Sequence, residues 1–465
     1  MQTVLTDYKE VTPEIIQRYD RSGPRYTSYP TVPIWDKGEF YSEDYVEFLE
    51  REGQSDKSLS LYIHLPFCKR LCTFCGCNKF ITNNQDVVEQ YLTTVQTELK
   101  MISQYMGPRK TVKQLHLGGG TPTHLSVSQL QKLIATVHEY FDVDFSGEIA
   151  FEAHPKVTRE THLKALYNLG FRRVSFGVQD IDSQVQKAIN RDQTLEQTQK
   201  TFYSAREIGY TSINIDLVYG LPKQSVATFT RTMEEVNAMR PDRLAIYSFA
   251  YIPEMFRTHK KAIKEQDLPT PKDKIAIYIE SIRFFTEAGY EMIGMDHYAG
   301  QTDELAVAQA NHTLHRNFMG YTTLKGLSQI GVGVSSISDF GDGYFQNDKE
   351  LSIYMEQIQQ QRFPVVRRKV LDKDDVLRRE LIESLMCHYY LPIQQFETRY
   401  EIKFHEYFSG EMESLKILEQ EGLLSMDNHE IRLTKLGTLF MRNVAMVFDR
   451  YLHDKSRIFH FSRTV

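Results

Sequence analysis

Between residues 59 and about 300 the sequence repeats one pattern: a short apolar, β-branched run, then a longer stretch with apolar residues three and four apart. That alternation predicts strand–helix units. Strands are expected at 59–65, 112–117, 148–152, 172–178, 212–218, 243–249 and 291–295. Val88, Tyr91, Leu92, Val95, Leu99 and Ile102 mark one face of a helix. Ser126 with Gln129 reads as a capping box opening a helix that runs to about 141. Three helices end alike, in Leu169-Gly170-Phe171, Ile208-Gly209-Tyr210 and Ala288-Gly289-Tyr290, where glycine suits the left-handed turn that stops a helix before a strand. Serial units of this kind call for parallel strands joined by crossover helices. Six or seven units predict an α/β barrel, whole or incomplete, in preference to a shorter doubly wound sheet.

The first strand feeds the densest chemical signal. From Tyr62 to Asn78 the chain reads Tyr-Ile-His-Leu-Pro-Phe-Cys-Lys-Arg-Leu-Cys-Thr-Phe-Cys-Gly-Cys-Asn, which holds four of its five cysteines, Cys68, Cys72, Cys75 and Cys77. Thiolates are soft ligands for iron–sulfur clusters and zinc. The C-x3-C-x2-C spacing of Cys68, Cys72 and Cys75 supplies three ligands, which on a four-iron cubane leaves one iron open. A closed zinc site with Cys77 as fourth ligand is the alternative, although such sites usually pair two separated C-x2-C motifs. Disulfides are the third option, and they fit poorly with a long chain of five cysteines in a reducing compartment.

In a barrel, chemistry gathers at the carboxyl ends of the strands. Gly118-Gly119-Gly120-Thr121-Pro122 follows the second strand, and its glycines allow close backbone approach and expose amides to a ligand. Glu152, Gln179 and Asp216 close or occupy the third, fourth and fifth strands. Residues 295–342 crowd Asp296, His297, His315, Arg316, Asn317, Tyr321 and Gly331 into a stretch read as a loop-built pocket. Upstream, Arg25-Tyr26-Thr27-Ser28-Tyr29-Pro30 is an aromatic and basic arm that either docks on the core or serves the site. Beyond 365 come helices at 392–400 and 404–421, a hairpin at 422–434 and a last helix from Lys435, a winged-helix-like arrangement. Cys387 reads as a buried thiol, and the basic tail 457–463 as disordered. The expected domains are therefore an arm, 1–35, a barrel, 36–364, and a mostly helical C-terminal domain, 365–465.

A net charge of −6 gives no footing for nucleic acid, so the C-terminal domain is read as a lid. No apolar run reaches 18 residues, and residues 1–10 lack a signal-peptide core. A cytoplasmic protein, with no membrane partner, is the expectation.

The cysteine segment resembles the radical S-adenosylmethionine superfamily, whose C-x3-C-x2-C loop holds a [4Fe–4S] cluster with S-adenosylmethionine on the open iron. Phe74, before the last ligand, fits that pattern. The extension Gly76-Cys77-Asn78-Lys79 and the arm Arg25–Pro30 are similar to the family of oxygen-independent coproporphyrinogen III dehydrogenases. The resemblance implies a partial, roughly six-unit barrel with Cys68, Cys72 and Cys75 as metal ligands. It implies S-adenosylmethionine contacts at Tyr62, Phe74, Gly118, Gly119, Gly120, Thr121, Glu152, Asp216, Ala250 and Ile337, with Gln179 and Arg191 holding a second molecule of it. Tyr62, Cys77, Gln179 and Arg25 are the implied catalytic residues, Arg25 by meeting a substrate carboxylate. The implied reaction converts two propionates of coproporphyrinogen III to vinyls, giving protoporphyrinogen IX, with a reductant protein such as flavodoxin or ferredoxin and a monomeric enzyme. A haem-binding chaperone and a haem-opening methyltransferase are the rival readings on the same barrel. One departure stands out: the segment Phe249-Ala250-Tyr251-Ile252-Pro253 has Tyr251 where many members carry histidine.

Overall fold

The computed structural model describes residues 11–38, 40–107, 110–453 and 461–464. Its principal strands are, in chain order, β1 (Leu59–Leu65), β2 (Thr111–Gly119), β3 (Asp142–Ala153), β4 (Arg173–Gln179), β5 (Ser212–Tyr219), β6 (Arg243–Ser248), β7 (Tyr290–Ile293), β8 (His297–Gly300), β9 (Ser328–Val332), β10 (Ile337–Asp339), β11 (Gly343–Asn347) and β12 (Val365–Val370). The chain divides into two compact units, each discontinuous in sequence: 35–217 with 326–371, and residues up to 34 with 218–325 and 372–465.

In the first of these, β1 to β5 lie side by side in chain order, every neighbouring pair parallel, and β9 adds a sixth parallel strand beside β1. This is the strand–helix repeat expected from the sequence. Helices Gln85–Ser103, Val127–Tyr140, Glu160–Asn168 and Leu195–Ile208 make the connections. The capping box at Ser126 and Gln129 is present, and Gly170 and Gly209 take the left-handed φ values of 93° and 109°. Alternation along the strands sorts the faces. In β5, Ile213 and Ile215 are buried while Asn214 and Asp216 are half-exposed. Register aligns Tyr62 with His116, Glu152 with Ser175 and Gly177 with Asp216, so one face of neighbouring strands is polar. Beyond β9 the order continues antiparallel through β10, β11 and β12 to a short strand Asp36–Lys37.

Residues 331–337, read from sequence as loop, are therefore partly sheet. A Cβ at Gly331 would lie 2.4 Å from the Ile337 carbonyl oxygen. Its glycine signals close approach of backbone, not a flexible loop.

The other unit holds β6, β8 and β7, joined antiparallel in that order. The expected seventh parallel strand, 291–295, is thus corrected. Only Gly294, Met295 and Asp296 separate β7 from β8, too few for a crossover, so the chain reverses into a hairpin. After residue 365 come a helix Lys373–His388 and the expected helix Ile393–Tyr400. The single helix expected at 404–421 is two, Phe404–Tyr407 and Met412–Gln420, broken around Gly410. The hairpin Leu424–Met426 with Glu430–Leu433 gains a third strand, Tyr390–Pro392. Cys387 is buried in a cluster with Ile293, Ala299, Leu305 and Leu314.

Residues 1–10 and the tail residues 457–460 lie outside the described residues. The rest of the tail is tied down, against the expectation of disorder: Arg463 pairs with Asp20 at 2.6 Å and bridges to Ser22. No helix among the described residues is long and apolar enough to cross a membrane.

Candidate active site

The cysteine loop leaves β1 through Pro66 and is gripped by the segment Asn190-Arg191-Asp192. Asn190 Nδ2 donates to the Leu71 carbonyl at 2.7 Å, and Arg191 Nη1 reaches Cys72 Sγ at 3.7 Å. Asp192 pairs with Arg70 at 2.6 Å and with Lys156 at 2.7 Å. The Thr73 amide donates to the Ile189 carbonyl at 3.1 Å. Arg191 also donates to the Gly177 carbonyl and, at 2.9 Å, to Gln193 Oε1. Its Nε is buried with no partner.

Burial pushes the Cys68 thiol up to about 11, and Cys72 rises for the same reason, opposed by Arg191. Cys77 lies on an exposed bend, and its thiol, donating to Cys75, holds Cys75 below the usual thiol range. The charges of Cys68, Cys72 and Cys75 all act on Arg191. Among the described residues, no three histidine, cysteine or acidic side chains are spaced to hold a single metal ion. The donor set fits an iron–sulfur cluster: three thiols on one loop, with a buried guanidinium against one of them to balance anionic charge.

Tyr62 O–H lies 3.0 Å from His64 Nδ1, and His64 Nε2 lies 2.9 Å from the Asn78 carbonyl. A carbonyl only accepts, so Nε2 carries the proton and Nδ1 accepts from Tyr62. Burial lowers the His64 pKa and raises that of Tyr62, keeping both neutral. This chain of bonds ties the Gly76–Asn78 extension to β1.

Glu152 accepts from the Gly119 amide at 3.1 Å and faces His116 Nε2 at 3.4 Å. Burial alone would raise its carboxyl, but His116 and the Gly119 amide bring it below the ordinary value. A Cβ at Gly118 would lie 2.8 Å from the Tyr62 ring and 2.9 Å from Glu152 Oε1. Glycine there is what lets these two groups close on the strand end.

The expectation of exposed amides is corrected. Gly119 donates to Glu152, Gly120 to the Leu65 carbonyl at 2.8 Å, and Thr121 to the Phe67 carbonyl at 2.9 Å. The three amides are consumed in holding the turn to β3, to the end of β1 and to the segment that follows it. Thr121 Oγ1 sits 3.5 Å from Cys68 Sγ.

Gln179 ends β4 with φ at +73°, a left-handed value for a non-glycine residue, beside Gly177 and Arg191. Asp216 accepts from Ser175 and Asn214, each at 2.8 Å. Phe74 is half-buried between Cys72 and Cys75. Ile337 opens β10, its carbonyl taking Gln329 Nε2 at 2.9 Å. His64, His116, Ser175 and Asn214 were not singled out from the sequence. Register places His116 opposite Tyr62 and Ser175 opposite Glu152, while His64 and Asn214 sit two residues along the strand from Tyr62 and Asp216.

Arg25 and Ala250 belong to the other unit. Arg25 donates to the Ser248 carbonyl. Where the family histidine is missing, Tyr251 stacks on the buried His259, ring centroids 5.9 Å apart. In the 295–342 segment, His297 Nδ1 lies 2.7 Å from Asp296 Oδ1. Burial would raise the Asp296 carboxyl, but His297, Arg316 and Arg25 bring it to about 2. His315 pairs with Glu383, and Tyr321 O–H accepts from the Met295 amide at 2.8 Å.

Residues 62–236 match the model of the radical SAM superfamily, and residues 371–440 match the HemN C-terminal domain. The chain is 44% identical over 457 residues to an oxygen-independent coproporphyrinogen III oxidase of Escherichia coli, covering 97% of this chain and 98% of the relative. It is 40% identical to the protein of the same name from Pseudomonas aeruginosa, covering 97% and 98%. A solved structure, reported as "Coproporphyrinogen III oxidase (HemN) from Escherichia coli is a Radical SAM enzyme", superposes with a TM-score of 0.88 at 41% identity, covering 92% of this chain and 97% of that one. With a cysteine loop of this build and relatives of this identity along almost its whole length, the chain belongs to the oxygen-independent coproporphyrinogen III oxidase family of radical S-adenosylmethionine enzymes.

Proposed function

We propose that this protein oxidatively decarboxylates two propionate side chains of coproporphyrinogen III to vinyl groups, giving protoporphyrinogen IX for haem biosynthesis without oxygen. The observation that carries it is the Cys68–Cys77 loop held on Asn190-Arg191-Asp192, in a chain 44% identical to a named oxidase. Removing hydrogen from an unactivated propionate lies beyond acid–base side chains. When bound, a [4Fe–4S] cluster and S-adenosylmethionine supply the 5′-deoxyadenosyl radical that such an abstraction requires.

The chain's own residues bind, orient and seclude. Cys68, Cys72 and Cys75 are the metal ligands in this reading, and Arg191 balances their charge. Gly118 to Thr121 offer backbone oxygens, and Glu152 and Asp216 offer carboxylates, to the amino and ribose groups of S-adenosylmethionine. Tyr62, Phe74, Ala250 and Ile337 complete its contacts. Gln179, beside Arg191, serves a second S-adenosylmethionine molecule. Tyr62, kept protonated, donates to His64 and holds the Cys77 turn, and Arg25 meets a substrate carboxylate. A reductant protein such as flavodoxin or ferredoxin supplies the electron.

The test is anaerobic incubation of the iron-reconstituted protein with coproporphyrinogen III, S-adenosylmethionine and a reductant. Protoporphyrin should accumulate with methionine and 5′-deoxyadenosine. Tight haem binding without decarboxylation would overturn the reading in favour of a haem chaperone.

A further inference from the structure

In the unit that holds residues 218–325, four positive groups, Arg25, Lys274, Arg316 and Arg442, act on one another at close range. Arg442 is buried, Arg25, Lys274 and Arg316 are half-buried, and Arg316 Nε is enclosed with no partner. The donors of the three arginines end on main-chain carbonyls, apart from Arg442 Nη2, which also reaches Ser462 Oγ at 3.4 Å. Arg25 reaches Ser248, Arg316 reaches Arg25 at 3.0 Å, and Lys274 reaches Phe249 at 3.2 Å. Arg442 holds Gly23, Pro24 at 2.9 Å and Arg463 at 3.0 Å. Among the described residues, none of the three arginines forms an ion pair with a carboxylate. Asp296 is engaged by His297 through Oδ1, and its Oδ2 has no partner. Burial, with Arg25 adding like charge, pushes Lys274 down to about 8 and Arg442 down to about 9.

Buried charges need counter-charges, and among the described residues Arg25, Arg316 and Arg442 have none in ion-pair contact. Arg25, Arg442 and Asp296 line a small cavity. Its room is about 30 Å³, enough for one or two water-sized groups. Tyr219 and Tyr278, stacked 5.5 Å apart, contribute to its wall, with Ile246, Met295 and Met441. Room of that size with a cationic end suits a carboxylate group alone, its hydrocarbon stem staying outside.

We infer that this cavity is a subsite seating the terminal carboxylate of one propionate arm of the substrate, with Arg25 meeting the carboxylate and Arg442 fixing the backbone that carries Arg25. This rests on the function proposed above and adds Arg442, far along the chain, as a positioning residue. The guanidinium fork of Arg25 keeps donors beyond the one spent on Ser248.

The test uses reconstituted enzyme and follows coproporphyrin III binding by its fluorescence. Arg25→Gln should weaken binding about ten- to a hundredfold, and Arg25→Lys should restore part of it. Met441→Glu brings an anion into the cavity, so it should weaken coproporphyrin binding while raising the melting temperature. Unchanged affinity in Arg25→Gln overturns the subsite. If Arg25→Gln does not fold, Met441→Glu decides, and a lowered melting temperature with unchanged affinity overturns the proposal. Competition by inorganic phosphate as strong as by glutarate overturns the assignment to carboxylates. Wild-type turnover of coproporphyrinogen III, run in parallel, separates the two readings. Normal turnover with equal affinities sinks the subsite alone, and no turnover by cluster-loaded wild type sinks the function with it.

Discussion

Arg191 joins more of the candidate site than its neighbours do: Cys72 Sγ at 3.7 Å, the Gly177 carbonyl and Gln193. A cation donating to a ligand sulfur favours the more negative, reduced state of a cluster. Arg191→Gln should therefore lower the cluster midpoint potential, on the order of 60 mV for each tenfold change in a one-electron equilibrium. Spectroscopic redox titration of the reconstituted protein checks this, with Arg191→Lys in between. His154 sets a pH limit nearby. Burial, with Arg191 and Lys156 adding, pushes it down to about 3 from 6.5. The unfolded chain takes up this proton near pH 6.5, and the folded chain refuses it until about pH 3. Its contribution to stability is complete above pH 6.5 and is lost as pH falls toward 3, at up to about 1.4 kcal/mol per pH unit. His154→Asn can still accept from the Lys156 amide, now 3.2 Å from His154 Nδ1, so thermal melts from pH 7 to 4 should show a shallower acid slope. At this scale the cysteines were legible because ligand chemistry fixes their spacing. His116 was not, because a lone histidine in a strand shows its partner only after neighbouring strands are paired, and His64 was not, because its second partner is a loop carbonyl that folds back on β1.

The cysteine loop, as an element, is held by hydrogen bonds from Thr73, Asn190 and Arg191 and by the Arg70–Asp192 pair. Small metal-folded domains lose their structure with the ion. Here, anaerobic chelation of iron should leave the far-ultraviolet circular dichroism unchanged and hydrogen exchange at residues 68–78 only locally faster. The end of β4 carries strain instead: Gln179 at φ +73° costs about 1–2 kcal/mol relative to glycine. Gln179→Gly should stabilise the fold by about 1 kcal/mol while lowering S-adenosylmethionine-dependent turnover, read by calorimetry and product assay. The β1 boundaries and the Ser126 cap were readable because pattern and capping are local. The β7–β8 hairpin was not, since a run of β-branched and aromatic residues does not state the direction in which its neighbour runs.

For the whole molecule, chain order and compact units disagree. The second unit draws on residues up to 34, on 218–325 and on 372–465. Within it, His388 reaches the Leu314 carbonyl at 2.9 Å, His315 pairs with Glu383, and Cys387 packs with Ile293 and Leu305. Truncation after residue 371 would strip those partners from the 290–325 segment. The shortened chain should be insoluble or proteolysed, and a protease-resistant, cluster-binding 1–371 fragment would refute this. A change of hydrophobic period near 365 is visible in sequence, whereas the return of distant segments to one unit is a long-range matter that no local pattern records. The pairing of residues 20–23 with 462–464 has a practical side. Thr464 lines the cavity beside Arg25 and Arg442, so the pairing of these two segments carries part of that wall. A bulky Thr464→Trp replacement should crowd the cavity and weaken coproporphyrin binding, read by the same fluorescence titration.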